Sequence, residues 1–212
     1  KNEKTLSSEH KLLIKRSKIS VSIVLRESDA IAKYELFQRL NTGGSQLTPQ
    51  EVRNCIMVME NPAFQKELGE LSKYPPFQDS IALSQNNLDE QYDDELTLRF
   101  LVFSVLAMEN YDRSADVGSY LTEQMVTMAR KDNFDWDGMK TRFKGTFDCI
   151  YSSLGSNAFR RFSNNTFKGG FLLSPYEVIA YGLGFNFPEI PSSESIVTKV
   201  KSMYQNSIYQ HW

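Results

Sequence analysis

The feature that most constrains the fold is a single stretch in which apolar and polar residues alternate. Elsewhere in the chain the apolar residues have helical spacing. Its apolar residues lie at every second position, namely Ile19, Val21, Ile23 and Leu25. This period of two is typical of a β-strand. An unpaired strand leaves N–H and C=O groups unsatisfied along both edges. Because the chain after residue 29 is predicted to be helix or loop, we expect the partners of this strand outside these residues, unless 18–25 is an extended segment lying on helices.

Composition places the chain among ordinary globular proteins. It has 212 residues, 41% hydrophobic and 24% charged, with a net charge of −2, and these values are normal for a globular domain. No apolar run reaches the roughly 20 residues that a membrane helix needs, and no signal peptide is evident. We therefore expect a cytoplasmic protein with no membrane partner. Because the charge is nearly balanced, any contact with nucleic acid should be local.

Cysteine and histidine usage argues against disulfides and metal. Cys55 and Cys149 lie among apolar residues at helical spacing, which predicts buried free thiols in a reducing compartment. The two histidines, His10 and His211, lie near the ends of the chain. They cannot complete a metal site with two isolated cysteines. We expect no metal and no cofactor bound by this chain itself.

A polar loop with two glycines separates two helical patterns near the start of the chain. Its tip, residues 42–45, reads Thr-Gly-Gly-Ser, and Gly43 stands where a helix end favours a left-handed residue. Thr48 is the predicted N-cap of the next helix, Pro49 its first residue and Glu51 the partner that closes a capping box. The predicted apolar face of that next helix consists of Val52, Cys55, Ile56 and Met59.

The loop carries the chemistry of a phosphate site. Arg39 precedes the tip and Arg53 follows it. Two guanidiniums and outward-facing backbone N–H groups suit a phosphate. A second interpretation is also open from spacing alone, because Arg39 lies four residues after Glu35 and can pair with it on a helix surface. Glycines at helix ends likewise need no ligand.

Residues 37–54 resemble a signature of the GmrSD-type restriction-enzyme N-terminal domain, a ParB-nuclease-like family. The signature reads Phe-x-Arg-Leu-Asn-Thr-Gly-Gly-x-x-Leu-x-x-x-Glu-x-Arg-Asn, and the chain matches each fixed position. Weaker similarity extends to about residue 185, through residues 95–100 and 175–182. The resemblance implies a bacterial protein of anti-phage DNA defence, with a nucleotide-fuelled or nuclease activity against foreign or modified DNA. It implies a nucleotide or DNA phosphate site formed by Arg39, Asn41, Thr42, Gly43, Gly44 and Arg53.

One departure from the family concerns catalysis. The family's first signature, Asp-Gly-Gln-Gln-Arg, is associated with its activity and is absent from the chain, whose one Asp-Gly pair is Asp137–Gly138. We therefore predict no catalytic residues here and no activity of this chain alone. A nucleoside triphosphate with Mg²⁺ is expected only for a longer parent protein. Because the chain begins at Lys1 rather than methionine, we expect a missing N-terminal segment or a partner chain, with DNA as a candidate partner. The competing interpretation is a non-catalytic interaction module in which the glycine loop is structural.

The predicted fold class is mainly α. Residues 1–60 would form the strand–helix–loop–helix tail of a ParB-like α/β domain, and residues 61–212 a helical bundle attached to it. The predicted helices are Ser8 to Ile14, Pro62 to Ser72, Asp89 to Asn110, Gly118 to Lys131, Asp137 to Leu154, a helix capped by Ser174 that ends near Gly182, and one capped by Ser192 or Ser193 that ends near Gln210. Residues 78–88 are predicted to be loop.

Two places in the bundle attract attention. The helix from Asp89 is apolar on nearly every side, so it should lie at the centre of the bundle. Arg99 is its one interior charge and needs a partner, which is more often a carboxylate than a ligand.

Residues 159–168 interleave basic and aromatic residues. They make Arg160, Arg161 and Lys168 candidate nucleic-acid contacts. The plainer interpretation is a loop whose phenylalanines pack into the core.

Overall fold

A computed structural model describes residues 6–18, 47–106 and 116–206, together with Leu36 and Arg39. The helices in this part of the chain are α1 (Ser8–Arg16), α2 (Pro49–Glu60), α3 (Pro62–Ser72), α4 (Pro75–Ile81), α5 (Gln85–Asp89), α6 (Tyr92–Phe103), α7 (Val117–Ala129), α8 (Trp136–Leu154), α9 (Leu173–Tyr176), α10 (Gly182–Phe185) and α11 (Ser193–Met203). A two-stranded sheet of β1 (Arg161–Ser163) and β2 (Thr166–Lys168) lies between α8 and α9. The prediction of a mainly helical fold is confirmed. The predicted strand at 18–25 lies outside the described residues, apart from Lys18.

Helix α2 begins as its sequence predicts. Thr48 caps it, Pro49 is its first residue, and Glu51 completes the capping box. The predicted inward face is wrong at two positions, because Cys55 and Met59 are exposed. Cys149 is only half-buried, so the prediction of two buried thiols is not met.

The inward face of α2 carries polar residues as well as apolar ones. Val52, Ile56 and Met57 are buried together with Arg53. This face packs against α3, α6 and α7. The helix that leaves the glycine loop therefore belongs to the same core as the helices that follow it.

The central helix is shorter than predicted. It runs over Tyr92–Phe103, because Gln91 adopts a left-handed conformation with φ of 58° and separates it from α5. Its side chains are buried nearly all round, including Leu96, Leu98 and Phe100. The predicted central position is confirmed. The prediction that Arg99 is its one interior charge is wrong, since Asp93 and Asp94 are also buried.

The predicted loop at 78–88 is instead two short helices. Pro75 is at the start of α4, where proline is favoured because the first helical N–H needs no partner. Ser84 caps α5. Burial of Phe77 and Ile81 against α8 stabilises α4. Pro75 thus starts α4 after α3 has ended at Ser72.

An aromatic cluster forms the centre of the bundle. Phe143 and Phe147 each pack against Phe77, against Phe100 and against each other, with ring centroids 4.6–5.3 Å apart. Tyr176 packs beside them and its hydroxyl donates to the Leu96 carbonyl at 2.7 Å. Such ring pairs add to the stabilisation that apolar burial provides.

The C-terminal part departs from prediction in two places. The predicted Ser174 cap is wrong, because the helix begins at Leu173 and Leu172 occupies the cap position. The helix then passes through a π-helical turn, Glu177–Tyr181, into α10. Residues 161–168 form a hairpin, which contradicts the expectation of only helix and loop after residue 29. Its turn residues Asn164 and Asn165 both have positive φ, the conformation that two-residue hairpin turns require. The predicted Ser192 cap is confirmed, and α11 ends at Met203.

Two glycines of α10 test how closely this helix packs against α6. A Cβ on Gly184 would lie 2.7 Å from the Phe100 ring and 2.8 Å from Ser104, whereas a Cβ on Gly182 would meet nothing within 4 Å. We predict that Gly184→Ala lowers the free energy of unfolding by about 1–3 kcal/mol, because the core must shift. Gly182→Ala should be neutral or stabilising by up to about 1 kcal/mol. Urea denaturation of both variants checks this, and equal effects would contradict the packing.

Candidate functional site

The structure describes the exit of the glycine loop rather than its tip. Four of the predicted phosphate-site residues, Asn41, Thr42, Gly43 and Gly44, lie outside the described residues. Arg39 is helical and exposed. Arg53 lies one turn into α2, on its buried face.

The start of α2 is held by its own capping groups. The Thr48 N–H donates to the Glu51 carboxylate at 2.7 Å, and the Glu51 N–H donates to the Thr48 hydroxyl oxygen at 3.2 Å. The Thr48 hydroxyl also donates to the Glu90 carbonyl at 3.3 Å. The chain leaving the loop is therefore fixed both to its own helix and to the turn before α6.

Arg53 is a buried, ion-paired residue. Its side chain is 1% exposed and its Nη2 lies 2.7 Å from Oε2 of Glu95. Its Nε donates to the side-chain oxygen of Gln50 at 2.8 Å. Of the two arginines predicted to clamp a phosphate, only Arg39 is exposed, so the guanidinium of Arg53 is not a surface clamp in this structure.

Glu95 and Arg99 extend this pair into a ladder of alternating charge, which we call the charge ladder: Arg53, Glu95, Arg99 and Glu177. The second oxygen of Glu95 lies 2.9 Å from Arg99, and Arg99 Nη1 lies 3.2 Å from Glu177. The prediction that Arg99 pairs with a carboxylate is confirmed. Two cations and two anions balance, so the ladder carries no net charge into the core.

Burial and ion pairing have opposite effects on the pKa values of Arg99 and Glu177. Burial disfavours the charge of Arg99, but Glu95 and its neighbours outweigh that effect and raise the pKa of Arg99. Burial raises the pKa of Glu177, against the opposing pull of Arg99. The guanidinium of Arg99 therefore keeps its charge in spite of its burial.

A second set of polar contacts joins α2 to the start of α6. The Asn54 side chain accepts from Gln50 at 2.8 Å and donates to Asp94 at 3.1 Å and to Gln91. Burial raises the pKa of Asp94. Asp93, also buried, contacts Lys73 at 2.6 Å. The acidic start of α6 therefore serves buried pairing as well as the helix dipole.

An open cavity of about 600 Å³ lies where the ladder ends. Its lining is mostly apolar and includes Phe103, Val117, Glu177, Val178, Tyr181 and Phe185. Val178 is 50% exposed and Phe185 52%. A volume of this size is typical of small-molecule or peptide-side-chain pockets.

The predicted nucleic-acid contacts lie on the hairpin. Arg161 and Lys168 are exposed cross-strand partners. Arg160 is half-buried, and its carbonyl accepts the Tyr204 hydroxyl at 2.9 Å. The structure thus brings two of the three predicted cations directly together.

Sequence reasoning missed Glu95 and Glu177. Glu95 had a local signal, because it precedes Arg99 by four residues on the same helix. Glu177 lies 78 residues from Arg99 in the chain, and no local pattern announces that pairing. The described residues contain no group of three His, Cys, Asp or Glu side chains arranged as metal ligands. No helix among them is long and apolar enough to cross a membrane.

Comparison with known proteins does not assign the chain to a family. No protein-family model matches the sequence. No curated protein and no solved structure matches it either.

The charge ladder predicts that neutralising a buried acid lowers the free energy of unfolding much more than neutralising a surface acid. Glu95→Gln removes the negative charge shared by two guanidiniums, one of them fully buried. We predict a loss of about 3–5 kcal/mol in the free energy of unfolding, as for other broken buried pairs. Glu70→Gln, which alters the exposed Lys66–Glu70 pair, should change it by less than about 0.5 kcal/mol. Denaturation of both variants is the measurement, and similar values would contradict the role of the ladder.

Proposed function

We propose that this chain is part of a bacterial DNA-defence protein of the restriction type, in which the loop between Arg39 and Arg53 contributes to a phosphate site for nucleotide or DNA. The observation that carries the proposal is the rigid base of that loop. Its exit is fixed by the Thr48–Glu51 capping box and by the buried Arg53–Glu95 pair, while Arg39 is exposed. The resemblance of residues 37–54 to the GmrSD-type signature supplies the biological class.

The anion belongs to the loop rather than to the start of α2. Helix starts often bind phosphate through free N–H groups. Here the Glu51 N–H is already bonded to Thr48, and the Glu51 carboxylate occupies the same end of the helix. A second negative charge at that end would be repelled. The phosphate donors are then the backbone groups of Thr42, Gly43 and Gly44 and the side chains of Arg39 and Asn41.

Within this proposal Arg53 holds the scaffold and Arg39 makes the contact. A guanidinium that is 1% exposed and paired at 2.7 Å cannot reach an anion on the surface without leaving its partner. Arg53 therefore keeps the helix after the loop in register with α6. Positioning of this kind is a large part of how phosphate-binding sites work.

The chain alone is expected to bind phosphate without turning it over. Hydrolysis of a phosphate ester needs a positioned base or a metal-held nucleophile. Of the described carboxylates around the loop exit, Glu51 is engaged in the cap and Glu95 in the charge ladder. The reacting groups would come from the Asp-Gly-Gln-Gln-Arg segment of a longer protein or of a partner chain, which would also hold a nucleoside triphosphate with Mg²⁺.

A second candidate function is a non-catalytic interaction module. The cavity beside Glu177 favours it, since half-exposed Val178 and Phe185 present apolar surface at its edge. In that case the glycine loop is a structural corner. Mutation of Arg39 distinguishes the two candidate functions, because only the phosphate site depends on this residue.

We predict that Arg39→Ala weakens binding of ATP or of a short DNA duplex at least about tenfold, because a charge-assisted hydrogen bond is worth about 1.5–3 kcal/mol. Lys66→Ala removes one exposed charge elsewhere and should leave affinity unchanged. Calorimetry measures binding, and phosphate release measures turnover.

Two outcomes would contradict the proposal. Equal affinities of the Arg39→Ala variant and the unaltered chain would exclude the clamp and leave the interaction module. Robust turnover by residues 1–212 would show that catalytic residues are present after all.

A further inference from the structure

The hairpin of β1 and β2 lies in an unusually acid-free part of the chain. Between Asp148 and Glu177 the sequence contains three cations, Arg160, Arg161 and Lys168, and no carboxylate. The whole chain has 26 acidic residues in 212, so three or so would be expected in a stretch of this length. Cations and anions are therefore segregated here, although the net charge of the chain is slightly negative.

The hairpin sets two like charges against each other. Arg161 and Lys168 are directly opposite in the register, on the exposed face that also carries Ser163 and Thr166. Directly opposed like charges destabilise a strand pair. None of the ion pairs found among the described residues involves either side chain. An external anion would relieve this repulsion.

The structure also limits how a nucleic acid could bind. Single-stranded nucleic acid is usually held by bases stacked on exposed aromatic rings. Phe159 is fully buried, and Phe167 packs against the core. Phe162 lies between Phe167, at 4.9 Å between ring centroids, and the ammonium of Lys201, at 5.5 Å from its ring. The aromatic residues that the sequence offered for stacking are engaged within the protein.

The tip of the hairpin is narrow and polar. Asn164 and Asn165 form its two-residue turn, flanked by Ser163 and Thr166. The major groove of DNA, which is about 12 Å wide, admits a two-stranded ribbon, and asparagine amides can pair with base edges there. Cations at the base of such a ribbon meet the phosphates beside the groove.

We propose that this hairpin is a binding element for duplex DNA, with the Asn164–Asn165 turn in the major groove and with Arg161 and Lys168 on the flanking phosphates. The inference deepens the proposed function, on which it rests for the choice of DNA as partner. It assigns a contact surface that is separate in sequence from the glycine loop.

The test compares binding of a labelled 20-base-pair duplex and of one of its single strands by fluorescence anisotropy over a range of salt concentrations. We expect the duplex to bind more tightly. Arg161→Ala with Lys168→Ala should weaken duplex binding and make the log–log salt slope shallower by about 2, since each phosphate contact contributes about 0.9. The control, Lys66→Ala with Lys131→Ala, removes the same charge from exposed positions elsewhere and should change neither quantity.

The turn is tested without disturbing the fold. Both Asn164 and Asn165 have positive φ, a conformation that glycine adopts easily. Asn164→Gly with Asn165→Gly should therefore keep the Tm, lower duplex affinity about tenfold through lost base contacts, and leave the salt slope unchanged.

Three results would overturn the proposal. They are tighter binding of the single strand, a cation variant that behaves like its control, and a turn variant with undiminished duplex affinity. These results are separable from the phosphate proposal. Undiminished ATP binding in Arg39→Ala, together with hairpin-dependent duplex binding, would contradict only the loop site. Loss of ATP binding in Arg39→Ala, together with a cation variant that binds duplex like its control, would contradict only the hairpin.

Discussion

The structure depends on how a fully buried arginine is neutralised. Arg53 lies on the inward face of α2, where an unpaired charge would be prohibitively costly. Glu95 supplies the counter-charge and shares its two oxygens between Arg53 and Arg99. Because each member of the charge ladder comes from a defined helix position, the ladder fixes how α2 and α6 meet. Apolar residues such as Val52 and Ile56 provide the burial, but they do not specify the register alone.

This arrangement links packing to the proposed function. The residues after the glycine loop enter the bundle through the Thr48–Glu51 cap and are held one turn later by Arg53. The loop therefore stands on a fixed base, with Arg39 exposed at its other end. The hairpin is organised differently, because its aromatic residues are used internally and its cations remain on the surface. One chain would thus offer two kinds of phosphate contact, a loop and a ribbon.

Sequence reasoning succeeded where the determining interactions are local. The Thr48 capping box, the Ser192 cap and the central burial of α6 follow from residues within a few positions of one another. It failed where distant contacts decide the outcome. Burial of Phe77 against α8 makes a helix of a segment that looked like loop, and the Arg99–Glu177 pair spans 78 residues. The hairpin had a local signal in Asn164–Asn165, but its strands are too short to show alternation.

The central claim is that the ladder makes α2 one cooperative unit with the bundle, and native-state hydrogen exchange tests it most directly. The amides of Ile56 and Met57 should exchange with the same opening free energy as those of Phe100 and Leu101 in α6, since helices joined by buried ion pairs open together. Exchange of the α2 amides through a much smaller opening free energy, with α6 still protected, would contradict the account. It would show that the loop stands on a helix that detaches on its own.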